Sequence, residues 1–284
     1  MTKADLSTPI ASPRSAPDPL SPLPLLASRI IDLSSPVDAD YWEPDPVSHE
    51  IMTPRQGAEH CASEMRTHFG MELSPDEFPD GEFLNNDFLT LSAHTGTHVD
   101  APAHYGSRGP DGPPRTVDQL PLEWFIGRGV LLDLRSAPPG TVDAEVLQER
   151  LRAIGHTLSP GEIVLLHTGA DRWLGTQRYF TEFVGLDKSA TAFLLDQGVR
   201  VIGTDAFSLD APFTHIISEY RRTGDRAVLW PAHVLGRSRE FCQIERLANL
   251  SALPAPTGFT VICLPVKIAR AGAGWARAVA VLDS

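Results

Sequence analysis

The sequence predicts an α/β fold, a single compact domain with a mixed β-sheet core and flanking helices. Three observations predict it. In the second half, short apolar runs rich in Val, Ile and Leu alternate with amphipathic stretches, the signature of strands alternating with helices. The chain has 284 residues, 42% of them hydrophobic and 21% charged, enough to bury a large core without staples. No internal repeat or linker interrupts the sequence after residue 28, so 28–284 reads as one domain.

Residues 1–27 read as a disordered or loosely attached tail, because Pro9, Pro13, Pro17, Pro19, Pro22 and Pro24 block helices and sheet ladders. A short strand is predicted over Ser28 to Leu33. Residues 34–88 are polar and irregular, with a helix predicted over Glu59 to Phe69. Glu72 to Asp87, with Pro75, Pro79 and Gly81, reads as a long loop, and loops of that length in compact domains are usually functional. Leu89 to Ser92 reads as a strand. Gly129 to Leu134 is a strand, and Asp143 to Ile154 a helix with Val146, Leu147, Leu151 and Ile154 on one face. Glu162 to His167 is a buried strand. Ser189 to Gln197 is a helix closed by Gly198, where a left-handed residue is needed. Val199 to Gly203, Thr260 to Leu264 and Ala278 to Leu282 complete the sheet.

Charge and composition narrow the function. With 24 Lys+Arg against 36 Asp+Glu the net charge is −12, so there is no positive footprint for nucleic acid or an anionic membrane. There is no run of 18 apolar residues and no basic, apolar leader, so a soluble cytoplasmic protein is expected. Cys61, Cys242 and Cys263 lack the spacing of a disulfide framework or a cysteine zinc site. Ten histidines in an acidic chain are the material of a metal site.

Those histidines concentrate in His94-Thr95-Gly96-Thr97-His98-Val99-Asp100-Ala101-Pro102-Ala103-His104. His94, His98, Asp100 and His104 are four candidate ligands or bases within eleven residues, a set that suits zinc, manganese or iron(II). A helix would bring His94 and His98 to one face, and an extended segment would group alternate residues. Gly96 and Pro102 disfavour helix, so the extended geometry is predicted. A structural-only assortment of capping and core histidines is the competing reading.

The segment resembles the H-x-G-T-H-x-D-x-P-x-H signature of the metal-dependent cyclase family, which includes bacterial kynurenine formamidases, isatin hydrolases and aromatic-polyketide cyclases. The resemblance extends from about residue 29 to 282. It implies a sheet of swivelling β/β/α type and a divalent cation, zinc or manganese, with one or two ions bound. It also implies ligands far from the motif, a His and a Glu twelve residues apart, matched by His233 and Glu245. His94, His98 and Asp100 would then hold one ion, Asp100, His233 and Glu245 the other, and His104 would act as catalytic base. A homodimer or homotetramer is implied too.

Four further residues are candidates for the substrate wall or the shell behind it. Asp205 and Ser208 follow a predicted strand, where ligands gather in open α/β sheets, and Asp210 lies beside them. Trp42, in Tyr41-Trp42-Glu43-Pro44-Asp45-Pro46, sits where hydrolytic members tend to show W-P-G-D-P, and could stack on an aromatic small-molecule substrate. His167, Trp124, Trp173, Trp230 and Trp275 read as core or interface, and His49, His60 and His68 as solvated. The catalytic set serves two reactions, because both stabilise an oxyanion beside a proton shuttle. The altered Trp42 turn and the long early segment favour ring closure of an aromatic polyketide. The alternative is an amidohydrolase of the kynurenine formamidase or isatin hydrolase type.

Overall fold

A computed structural model describes residues 29–283, so the predicted tail lies outside the described residues. Its strands are β1 (Ile30–Asp32), β2 (Ser48–Met52), β3 (Asn86–Thr90), β4 (His98–Asp100), β5 (Ile126–Asp133), β6 (Gly140–Val142) and β7 (Ile163–His167). They continue as β8 (Val184–Leu186), β9 (Val201–Thr204), β10 (Cys242–Glu245), β11 (Phe259–Ile262), β12 (Ala273–Trp275) and β13 (Val279–Leu282). The helices are α1 (Pro54–Phe69), α2 (Ala144–Ala153), α3 (Gln177–Thr181), α4 (Lys188–Asp196), α5 (Phe213–Thr223) and α6 (Pro231–Leu235).

Nine strands form one mixed sheet in the order β1-β13-β11-β5-β7-β9-β10-β4-β12. β5, β7, β9 and β10 are parallel, joined by crossovers that carry α2, α4 and α6, and the strands outside them pair antiparallel. The sheet must curl. β12 ends one edge and β13 lies next to the other, yet Trp275 and Val279 are only four residues apart. Four residues reach about 14 Å at most, whereas seven strand spacings of a flat sheet would need about 33 Å. The bridge Ser34↔Leu247 ties the end of β1 to the end of β10 and records that curl.

Alternation along β7 divides the core. Ile163 and Leu165 pack inside the curl with Val99, Ile244 and Phe259. Val164 and Leu166 face outward against Leu147 and Leu151 of α2 and Leu194 of α4. Both faces are covered, which is why the strand is an unbroken apolar run. Gly198 has φ +84, as the sequence required.

Two elements differ from the sequence reading. α1 begins at Pro54, because Thr53 and Gln56 form a capping box ahead of it. The strand expected at Leu89 to Ser92 is β3, shifted to Asn86–Thr90 and paired with β2 in a separate hairpin. That hairpin, α1 and the turns between them form an arm with Ile51, Phe69, Leu84, Phe88 and Leu89 exposed. The short strands β4, β10 and β12 were not predicted, and they carry or flank the histidine motif.

Candidate metal centre

β4 is the platform of the site. It runs antiparallel to β10 and β12, with His98 opposite Glu245 and Trp275, and Asp100 opposite Gln243 and Ala273. Directly opposed residues share a face, so the register alone brings Glu245 beside His98, with Oε2 3.7 Å from Nε2. The motif is extended only at these three residues. Before them Gly96 turns the chain with φ +64, and after them Pro102–Tyr105 is a 3-10 turn that carries His104.

Each imidazole is oriented by a neighbour. His98 Nδ1–H donates to the Gly96 carbonyl at 2.9 Å, which leaves the Nε2 lone pair facing Asp100. His94 sits on a turn whose Ser92 carbonyl accepts from Trp275 Nε1 at 3.0 Å. His233 lies in α6, where Asp210 accepts from the Ala232 and His233 amides at 2.8 and 3.1 Å and from His233 Nδ1. Asp210 therefore caps the helix and fixes the ring together, with Nε2 aimed at the centre.

Everything converges on Asp100. His94 Nδ1 is 2.9 Å and His98 Nε2 3.4 Å from Oδ1, while His104 Nε2 and His233 Nε2 are each 3.8 Å from Oδ2. The carboxylate is fully buried, yet neither oxygen has a hydrogen bond of good geometry. A buried, orphaned carboxylate ringed by imidazole nitrogens is costly unless a cation completes it. The donor set fits a divalent ion: His94, Asp100 and His104 form one group with atoms within 4.8 Å, and His98, Asp100 and Glu245 another. The trio His94, His98 and Asp100 implied by the resemblance also converges.

Charges follow from this packing. Burial would lift Asp100, but His98 and His94 hold it well below the usual carboxylate range. Burial and the charge of Asp100 raise Glu245. Burial would lower His233, but Asp210, aided by Glu245 and Asp100, holds it at about 9. His104 goes the other way. Burial and the surrounding imidazoles depress it to about 4 against the pull of Asp100, so its ring is neutral at pH 7.

A cavity of 490 Å³ opens over the centre, its apolar wall built from Phe207, Phe213, Leu229 and Trp230. Phe213 packs edge-on to Trp230 at 5.3 Å and to Phe207 at 6.4 Å. Ser208 lines the cavity. Trp42 packs at a tilt, 5.6 Å between ring centres, on Phe180, which packs against Phe207 at 4.8 Å. Asp205 is fully buried, and its carboxylate accepts from Thr168 N at 2.7 Å, Thr168 Oγ1 at 2.6 Å and Gly169 N at 2.7 Å, so it ties β9 to the end of β7 and does not line the cavity. His167 is buried beside it, and His49 pairs with Asp87 in the arm.

The sequence reading missed Arg246, Arg237, Tyr105 and Phe213 as cavity residues, and took Trp230 for core or interface. Two signals were present: Arg246 follows Glu245 directly, and Trp230 stands one residue before Pro231-Ala232-His233.

The Cyclase family model matches residues 31–211, and the chain belongs to this family of metal-dependent enzymes. Kynurenine formamidase of Salinibacter ruber is 30% identical over 207 residues, 70% of this chain and 81% of that protein. Cyclase-like protein 3 of Oryza sativa subsp. japonica is 28% identical over 202 residues, 68% of this chain and 64% of that protein. Isatin hydrolase A from Ralstonia solanacearum superposes with a TM-score of 0.69 at 21% identity, covering 96% of this chain and 100% of that one. Isatin hydrolase A from Labrenzia aggregata, bound to benzyl benzoate, gives 0.68 at 24% identity, covering 91% and 96%. These two structures share the fold, including the large curled mixed sheet.

Proposed function

We propose that this chain is a metal-dependent amidohydrolase that acts on an aryl formamide or a cyclic aryl amide. The observation that carries the reading is the orphaned, buried Asp100 carboxylate beside the neutral His104 imidazole, under an aromatic wall. The relatives named kynurenine formamidase favour it over the polyketide ring closure expected from the sequence.

Asp100 would hold the cation together with His94 and His98, and His233 and Glu245 stand where they could complete a second ion. Zinc or manganese suits these nitrogen and carboxylate donors. When bound, such an ion supplies Lewis acidity toward a carbonyl oxygen and lowers the pKa of water beside it. The chain's own residues do the rest. Phe207, Phe213 and Trp230 hold the substrate's ring and exclude water. His104, neutral at pH 7, takes a proton from water at Nε2 as the carbonyl carbon gains oxygen. The C–N bond then breaks, and His104 returns the proton to the departing nitrogen. Asp210 acts by keeping His233 in place.

The test is to incubate the metal-loaded protein with N-formyl-kynurenine and with isatin. Turnover of either supports the reading, and failure with both and with N-formyl-2-aminobenzoate, under zinc and manganese, refutes it. We further expect a homodimer or homotetramer, which the exposed apolar residues of the arm support, and a cytoplasmic setting. Among the described residues no helix is long and apolar enough to cross a membrane.

A further inference from the structure

Arg246 is an unusual residue in an unusual place. It directly follows Glu245, lines the cavity, and is only 4% exposed. Its backbone is left-handed, φ +59, a conformation that disfavours a residue with a long side chain by about 1 kcal/mol or more. Two bonds hold it there: its amide donates to the Ala206 carbonyl at 3.1 Å, and its carbonyl accepts from Thr97 Oγ1 at 2.6 Å. Trp230, the other left-handed residue of the cavity wall, has φ +47. Local strain of this kind persists where the surroundings enforce it and points to function.

The guanidinium is fixed as firmly as the backbone. Nη1 donates to both oxygens of Glu43 at 2.8 Å, and Glu43 comes from the loop that also carries Trp42. The guanidinium carbon stands 4.1 Å from the centre of the Phe207 ring. Nε is buried without a hydrogen-bond partner, and the bonds the guanidinium makes are those of Nη1 to Glu43. A buried guanidinium with unused donors is expensive unless something completes it. The Phe207 ring packs against it, and it shares the cavity lining with Glu245 and His98. A second guanidinium, Arg237, stands exposed on the same cavity, with Nε committed to the Tyr105 carbonyl at 2.6 Å. Two guanidinium groups on a cavity walled by Phe207, Phe213 and Trp230 match an aromatic ring that bears an anionic oxygen group.

We propose that Arg246, clamped by Glu43 and Phe207, is a specificity-determining residue that donates from its free nitrogen to a carboxylate carried on the ring of the aryl substrate. This deepens the amidohydrolase reading and rests on it for the word substrate, but the recognition itself needs no turnover. The preferred substrates are then aryl amides with a ring carboxylate, and Glu43 is a positioning residue that aims Arg246.

The test uses metal-depleted protein, so that a carboxylate cannot bind the ion instead. Binding of 2-aminobenzoate and of the neutral 2-aminobenzamide is followed by their own fluorescence, in wild type, Arg246→Gln and Arg246→Lys. Circular dichroism and melting confirm that each variant is folded. The expected result is that Arg246→Gln weakens 2-aminobenzoate by about 10- to 100-fold, the span of a charge-assisted hydrogen bond, and leaves 2-aminobenzamide within about threefold. Arg246→Lys should fall between, because it keeps the charge without the planar fork. An equal loss for both ligands, or none for either, overturns the proposal. If Arg246→Gln does not fold, the benzoate-to-benzamide affinity ratio of Arg246→Lys decides: a reduced ratio supports the proposal and an unchanged one overturns it. Formate release from N-formyl-2-aminobenzoate by the metal-loaded wild type is read separately. Its failure with an intact binding ratio would count against the amidohydrolase reading and leave the recognition standing.

Discussion

Replacing Asp205 should damage stability far more than substrate affinity. Its carboxylate takes both buried amides at the end of β7, Thr168 N and Gly169 N, each at 2.7 Å, plus the Thr168 hydroxyl at 2.6 Å. Asp205→Ala strands two backbone donors that cannot turn away, at about 1–3 kcal/mol each, so the expected cost is about 2–6 kcal/mol. At about 2 °C per kcal/mol for a chain of this size, the melting temperature should drop by about 4–12 °C. A pH signature accompanies the loss. Burial lifts Asp205 to about 7, above the ordinary 3.8 that it regains on unfolding. Between these values the folded state holds a proton that the unfolded state has released, so stability falls as pH rises from about 4 to 7. Asp205→Asn cannot titrate. The difference in unfolding free energy between wild type and Asp205→Asn should therefore shift against wild type across that window, by about 4 kcal/mol at most. Urea unfolding at pH 4.5, 6 and 7.5, with KM measured alongside, checks both claims. An Asp205→Ala protein of wild-type stability with a selectively raised KM would refute the reasoning and restore Asp205 as a substrate residue.

Four other outcomes follow from the structure. His104→Ala should keep its metal content and lose at least about 100-fold in kcat, since general acid–base catalysis contributes about that much or more; metal analysis beside steady-state kinetics checks it. Asp210→Asn replaces one of the two acceptor oxygens by an amide donor, so Ala232 N and the His233 ring cannot both be held, and metal binding should weaken by about 10- to 100-fold in a competition titration with a chelator. Gly96→Ala puts a Cβ 2.9 Å from Val37 Cγ2 at φ +64, so melting should fall by several degrees and metal affinity with it, because this turn separates His94 from His98. Leu84→Glu with Phe88→Lys on the arm should shift the chain to a smaller species in sedimentation velocity without changing its melting by more than about 2 °C.

The sequence exposed its strands best where they are buried on both faces, as in β7, and its helices where an apolar stripe or a capping glycine marks them, as in α2 and α4. It hid β4, β10 and β12. Strands of three or four residues have too little alternation to register, and their pairing depends on the curl of the whole sheet. The local part of the site was legible because one segment of eleven residues carries four of its donors. His233 and Glu245 became legible only through the family resemblance, since nothing in a linear chain says that α6 and β10 end beside β4. Asp205 read as a substrate candidate because a carboxylate after a strand looks the same whether it faces a ligand or caps its neighbour's backbone. Arg246 was overlooked because its left-handed backbone and its partner Glu43, about two hundred residues away, exist only in the folded chain.

The central claim is that Asp100 is the hub of a divalent metal centre, and metal content tests it most directly. Wild type and Asp100→Ala, purified without chelators and loaded identically with zinc or manganese, should be compared by elemental analysis per mole of folded chain. The wild type should hold one or two ions and the variant almost none. A folded Asp100→Ala protein that retains the wild-type ion count would contradict it.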